Sequence, residues 1–241
     1  MSKIRMAIPM AFIIFSLIFL SACAEEDLEP MTLVALGDSI TASANLVNSE
    51  QSGYPYLIGE EAGLEVHNLA VSGWQTGQVT EALREDETYQ TLVKDADYIA
   101  MTIGGNDLLR ILRNAQTESA GDPMIMTEII LQELSSNNVS AELGELIEEI
   151  RSLTDAKILL YNIYNPLPPS SNLHGIGESL LPQINAAYAE IAENHENVFL
   201  ADAFLAYQEK QADYIIEGDI HPTEEGQAAL AEIGLEALGL E

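Results

Sequence analysis

The chain has 241 residues and sets 9 Lys+Arg against 39 Asp+Glu, a formal net charge of −30 at pH 7. Such a surface repels phosphate backbones and anionic lipid heads, which argues against nucleic acid as a partner. A single Cys excludes an intrachain disulfide, so apolar burial must hold the fold unaided.

Met1 to Cys23 stands apart from any fold. Lys3 and Arg5 form a short basic start, an uncharged apolar run follows from Met6 to Leu20, and Leu20-Ser21-Ala22-Cys23 closes the segment. This pattern describes a secretory signal peptide; a membrane span needs roughly 20 apolar residues, more than the run offers. Leu-Ser-Ala-Cys resembles the lipobox of bacterial lipoproteins. That resemblance implies removal of residues 1–22 and acylation of Cys23, tethering the chain to the outer face of a bacterial membrane. The alternatives are an ordinary cleaved signal and an uncleaved anchor. Residues 23–30 then read as an acidic tether and 31–241 as one domain of ordinary size.

Within the domain, Thr32–Leu36, Glu65–Ala70, Tyr98–Ile103, Lys157–Tyr164 and Asn197–Ala201 read as strands. They are near-continuous apolar runs, as expected when helices cover both sheet faces. Ser140 is placed to cap a helix carrying Leu143, Leu146, Ile147, Ile150 and Leu153 on one face. Thr223, after Pro222, is placed to cap a last helix with Leu230, Ile233, Ala237 and Leu238 as its apolar stripe. The alternation predicts an α/β fold, a three-layer α/β/α arrangement around a mainly parallel, doubly wound sheet of about five strands. One long excursion, Asn114 to Asn138, separates the third and fourth strands. It reads either as a cap over a site or as an ordinary surface helix.

In such sheets, ligands gather at the carboxyl ends of the strands. The first strand runs into Gly37-Asp38-Ser39, where Gly37 supplies backbone freedom and Ser39 stands beside the next helix. The second ends in "NLAVSGWQT" with Gly73, the third in "MTIGGNDLL" with Asn106, and "EGDIHPTEEG" near the C-terminus holds His221. Each has a plain structural reading, as a turn, a helix cap or a loop residue. A serine, a glycine, an asparagine and a histidine at successive strand ends, in this chain order, resemble the SGNH or GDSL family of serine hydrolases, whose fold is flavodoxin-like.

The resemblance implies that Ser39 attacks an ester carbonyl to form an acyl-enzyme and that His221 Nε2 takes its proton. It also implies an oxyanion hole made by the N–H groups of Ser39 and Gly73 and the side-chain amide of Asn106. An amide donates without ionising, so it suits that task. No cofactor is required and no metal is expected, since His67, His174 and His195 show no ligand spacing with His221 or each other. One departure stands out. The family usually places an Asp three residues before the histidine, but that position is Gly218; Asp219 and Glu217 flank it. Asp219 is the expected orienter, with Glu217 or a Ser–His dyad as alternatives. Asp38 is expected to serve the turn rather than the chemistry, "YNPLPP" (Tyr164 to Pro169) to form one rim of the crevice, and Trp74 either to line the site or to pack.

The expected function is therefore that of an extracytoplasmic lipase, esterase or acylhydrolase. Its substrate would be a lipid, a small acyl ester or an acetylated glycan. The alternatives are an O-acetyl esterase acting on envelope polysaccharide and a non-catalytic ligand-binding lipoprotein on the same fold.

Overall fold

A computed structural model of the chain describes residues 30–136 and 139–241; the signal-peptide and lipobox readings and all but the end of the tether lie outside them. Five strands, β1 (Thr32–Gly37), β2 (Glu65–Asn68), β3 (Tyr98–Thr102), β4 (Lys157–Tyr161) and β5 (Val198–Ala201), form one sheet in the order β2-β1-β3-β4-β5. Every neighbouring pair is parallel. Helices α1 (Ser49–Ser52) and α2 (Tyr54–Ala62) join β1 to β2, and α3 (Thr76–Glu85) and α4 (Glu87–Lys94) join β2 to β3. Between β3 and β4 run α5 (Gly105–Glu118), α6 (Pro123–Ser136) and α7 (Val139–Leu153), and the excursion from Asn114 to Asn138 takes in the end of α5 and all of α6. Helix α8 (His174–Asn194) precedes β5, and α9 (Ala203–Tyr207), α10 (Gln211–Tyr214) and α11 (Glu224–Leu238) follow it.

The layers come directly from strand alternation. Leu33 of β1, Tyr98 and Ala100 of β3, and Leu159 and Tyr161 of β4 pack on α2 and α11, through Tyr54, Ile58 and Leu230. The intervening Val34, Leu36, Ile99, Met101, Ile158 and Leu160 pack on α3 and α7, through Val79, Leu83, Leu146 and Ile150. Both faces of the inner strands are covered, so they have no polar side to show, whereas the edge strand β2 leaves Glu65 exposed. Full burial of each such side chain contributes about 1.5–3 kcal/mol. Truncating Ile99, fully buried in the central strand, to Ala would cost about 2–5 kcal/mol. A third, separate cluster joins Ile111 and Ala115 of α5, Met126 and Ile130 of α6, Val139 and Leu180. The excursion thus builds an annexe beside the sheet.

All five expected strands are present, with shifted ends. β4 stops at Tyr161 because a side chain replaces the ladder. The Ile163 N–H donates to Asn185 Oδ1 at 3.0 Å, and its carbonyl accepts from Asn185 Nδ2 at 2.9 Å. β2 stops at Asn68, whose own Oδ1 takes the Ala70 N–H at 3.0 Å and turns the chain. Thr223 caps α11 as expected, accepting from the Gly226 N–H at 3.1 Å. Ser140 does not cap α7. That helix already includes Val139, so Ser140 lies inside its first turn, although Leu143, Leu146, Ile147 and Ile150 are buried as expected.

The strand order reverses direction between β1 and β3. Their following chains leave to opposite sides, which opens a crevice above the two carboxyl ends. Ser39 and Asn106 follow those two strands.

Candidate active site

Ser39 leaves β1 on a turn that needs Gly37. This glycine has φ +118, and a Cβ there would overlap the Thr102 carbonyl oxygen on β3. Asp38 is buried, and its hydrogen bonds go to the turn and to β3. Its Oδ1 accepts the Ile40 N–H at 3.0 Å and the Thr102 hydroxyl at 2.9 Å. A carboxylate only accepts, which fixes the whole chain of donors behind it. Thr41 must donate to Thr102 Oγ1 at 2.8 Å, and Tyr54 to Thr41 Oγ1 at 2.8 Å. Asp38 therefore anchors the turn, as the sequence suggested. Burial pushes its carboxyl up to about 6, against the downward pull of those hydrogen bonds.

His221 arrives from the other end of the chain. The segment from Ile215 to Pro222 folds back on itself: the two ends form an antiparallel bridge, and the Ile216 N–H donates to the His221 carbonyl at 3.0 Å. The Asp219 N–H closes a turn onto the Ile216 carbonyl at 2.9 Å, with Gly218 at φ +77 inside it. This turn explains the displaced acid. A left-handed backbone favours glycine at 218, and the next residue then faces the imidazole. His221 Nδ1 lies 2.6 Å from Asp219 Oδ1, and His221 Nε2 lies 2.9 Å from Ser39 Oγ. The acceptor-only carboxylate places the ring proton on Nδ1 and leaves Nε2 bare to receive the serine proton. Asp219 is partly buried, which works against its ionised form. Hydrogen bonds from the Ile220 N–H, His221 and Asn45 outweigh that and hold its carboxyl below the usual range.

Of the remaining expected residues, Asn106 lines the cavity at Ser39, and Gly73 precedes the residue that Asn106 bonds. Gly73 sits in an exposed turn at φ +85, a conformation that favours glycine, and a Cβ there would meet no atom within 4 Å. Asn106 lies in the first turn of α5, inside the helix rather than at its cap. One hydrogen of its amide goes to the Trp74 carbonyl at 2.9 Å, and the side chain lines the cavity at Ser39. Beside it, Asp107 is buried and accepts from Gln75 Nε2 at 3.1 Å, the Thr76 N–H at 3.1 Å and the Thr76 hydroxyl at 3.0 Å. The start of α5 is thereby tied to the start of α3, which fixes Gly73 relative to Asn106. Trp74 packs: it stacks on Tyr89 with ring centroids 5.9 Å apart and does not line the cavity.

The family model of GDSL-like lipases and acylhydrolases matches residues 35–229, most of the chain. The chain belongs to the GDSL-like lipase/acylhydrolase family. It is accordingly a carboxylic ester hydrolase of the GDSL lipase/esterase type. Among its relatives, the spore germination lipase LipC of Bacillus licheniformis is 28% identical over 214 residues, 84% of this chain and 94% of LipC. The lipase Lip_vut3 from a goat rumen metagenome superposes with a TM-score of 0.68 at 25% identity, covering 88% of this chain and 100% of that one. The acetylxylan esterase Axe2 of Geobacillus stearothermophilus shares the fold, with a TM-score of 0.62 at 22% identity over 88% of this chain and 95% of its own.

In this GDSL hydrolase, Ser39 opens into a cavity of about 180 Å³. Tyr164, Asn165, Pro166 and Leu167 form one rim, as the sequence suggested. The interior is apolar, with Leu109 and Leu112 from α5, Ile130 and Leu134 from α6, and Ile176 and Leu180 from α8. Helix α6 is therefore one wall of the cavity, so the excursion borders the site.

Two supporting residues escaped the sequence reading. Gln227 is buried in α11, where its Oε1 accepts the Tyr54 N–H at 2.9 Å and its Nε2 donates to the Ile40 carbonyl at 3.0 Å. It fastens the C-terminal helix to the residue after the serine. The signal was a polar residue on the apolar stripe of Leu230, Ala231 and Leu238. Asn45, discussed below, left no local signal.

Proposed function

We propose that this GDSL hydrolase cleaves esters of medium or longer acyl chains through an acyl-enzyme on Ser39. The observation that carries the reading is the apolar cavity reached directly from the Ser39 hydroxyl, where His221 and Asp219 stand in hydrogen-bonded line. An acetyl group needs no such space. At about 180 Å³ the cavity exceeds the roughly 150 Å³ of an apolar cavity that accepts benzene.

Ser39 Oγ adds to the ester carbonyl while its proton passes to His221 Nε2. Asp219 holds the Nδ1 proton in place and stabilises the imidazolium. The oxyanion receives the N–H groups of Ser39 and Gly73 and the second hydrogen of the Asn106 amide. The carbon–oxygen bond to the alcohol then breaks, and the leaving oxygen takes the proton from Nε2. Water enters, gives a proton to the same nitrogen and attacks the acyl-enzyme; the proton returns to Ser39 Oγ as the acid departs.

The lipase names of LipC and Lip_vut3 support the lipid reading, and the fold shared with Axe2 keeps acetyl-ester removal as the competing one. Hydrolysis of p-nitrophenyl esters from acetate to palmitate by the wild type and Ser39→Ala decides between them. Activity confined to acetate would favour the deacetylase. Export and tethering through Cys23 rest on the sequence of residues 1–23. Incorporation of labelled palmitate that disappears in Cys23→Ala tests that part, and unchanged labelling would dismiss it.

A further inference from the structure

Asp219 offers His221 only one of its two oxygens. The other, Oδ2, faces the short coil that follows the nucleophile, where Asn45 Nδ2 donates to it at 2.7 Å. This bond spans 174 residues of sequence. Its acceptor is a carboxylate, so the nitrogen end of the Asn45 amide must be the end that faces Asp219. The same Nδ2 stands 3.1 Å from His221 Nδ1, which places the amide beside both the acid and the imidazole.

The backbone is bent to put it there. Both Ser43, at φ +55, and Asn45, at φ +69, are left-handed although neither is glycine. Such conformations cost energy and persist where surrounding contacts demand them, and Asn tolerates them better than most residues. The coil is wound tightly enough to hold the shape. Its Ala44 N–H donates to the Ser39 carbonyl at 2.9 Å, and the Ser43 N–H to the Ile40 carbonyl at 3.1 Å. Two backbone bonds thus tie the coil that carries Asn45 to the turn that carries Ser39.

We propose that Asn45 is a positioning residue: it pins the outer oxygen of Asp219 and so locks the acid, the imidazole and the nucleophile into one frame. The need arises from the tight turn that carries the acid. Without Asn45, Oδ2 would face water, and the carboxylate could rotate about its bond to Cβ away from His221. The proposal rests on the reading of Ser39, His221 and Asp219 as the reacting centre.

The test is a double-mutant cycle on a medium-chain p-nitrophenyl ester. Asn45→Gly removes the amide while suiting the positive φ, so backbone strain does not enter. It should lower kcat about tenfold with KM unchanged, in line with losing one hydrogen bond to a charged group near the surface. In the Asp219→Ala background the same substitution should change kcat less than twofold, because the group it acts through is gone. Equal losses in both backgrounds, or none in the first, would overturn the proposal. The underlying reading has its own control: Ser39→Ala must be inactive. If it is inactive and Asn45→Gly matches wild type, only the role of Asn45 falls; if it stays active, both fall.

Discussion

The Tyr164 hydroxyl donates to the Ile220 carbonyl at 2.8 Å, across 56 residues of sequence. The tyrosine ring is itself stacked on Tyr207 with centroids 4.4 Å apart. Burial pushes the phenol well above its usual range, so it stays protonated and remains a donor. The loop that carries His221 thus hangs from the end of β4. Tyr164→Phe keeps the ring, the stack and the cavity rim but leaves a carbonyl without its donor. Stability should fall by about 1–2 kcal/mol in urea unfolding, and kcat should fall several-fold.

Removing members of the proposed reacting centre should give graded losses. Asp219→Asn is expected to lower kcat by about 10⁴, since the amide can favour the wrong imidazole tautomer. Asn106→Ala should cost about 10² to 10³ through the lost oxyanion donor. Steady-state kinetics on one ester checks both. An Asp219→Asn enzyme as fast as wild type would leave a serine–histidine dyad.

Asp38 makes stability depend on pH in a direction opposite to that of a salt-bridged acid. Its carboxyl is raised from 3.8 to about 6 by burial, so between these values the folded chain holds a proton that the unfolded chain releases. Stability from this group is therefore fully present below about pH 4, declines as pH rises, and is lost above about pH 6. The size is on the order of 3 kcal/mol. Asp38→Asn keeps an oxygen for the Ile40 N–H and the Thr102 hydroxyl and cannot ionise. Relative to wild type, the variant should gain on the order of 3 kcal/mol between about pH 4 and pH 7. Urea unfolding at both pH values measures the difference. A constant offset would show that Asp38 titrates like an exposed acid.

Ile130 lies on the wall that α6 presents to the cavity. Ile130→Phe should shorten the longest p-nitrophenyl ester turned over while leaving acetate hydrolysis within about twofold. Overpacking of this kind typically costs about 1–3 kcal/mol, so the melting temperature must be recorded alongside. An unchanged chain-length profile in a folded variant would place the acyl group elsewhere.

The inner strands were legible because parallel sheets bury both their faces, which writes near-continuous apolar runs into the sequence. Gly37, Ser39, Gly73, Asn106 and His221 were legible because each follows a strand or precedes a helix at a recognisable place. The acid was harder. Which of Glu217, Gly218 and Asp219 meets the imidazole depends on the turn that Gly218 makes, a matter of backbone dihedrals. Ser140 misled because a serine ahead of an apolar stripe looks like a cap, whereas α7 starts one residue earlier. The partners of Asn45, Tyr164 and Gln227 could not be read, because they lie 174, 56 and 187 residues away. No local pattern encodes such contacts.

The annexe has a consequence for how this protein changes over generations. Ser39 and Asn106 are fixed by β1 and β3, and His221 by its own folded loop, whereas Ile111, Met126, Ile130 and Leu180 form a cluster apart from both sheet-facing cores. If the acyl group lies in the cavity as proposed, replacements on α6 would reshape the room for it without touching the elements that carry Ser39, Asn106 and His221. On that reading diet and chemistry can change on separate schedules: a new ester would be reached by editing α6, with the sheet and its reactive tip kept.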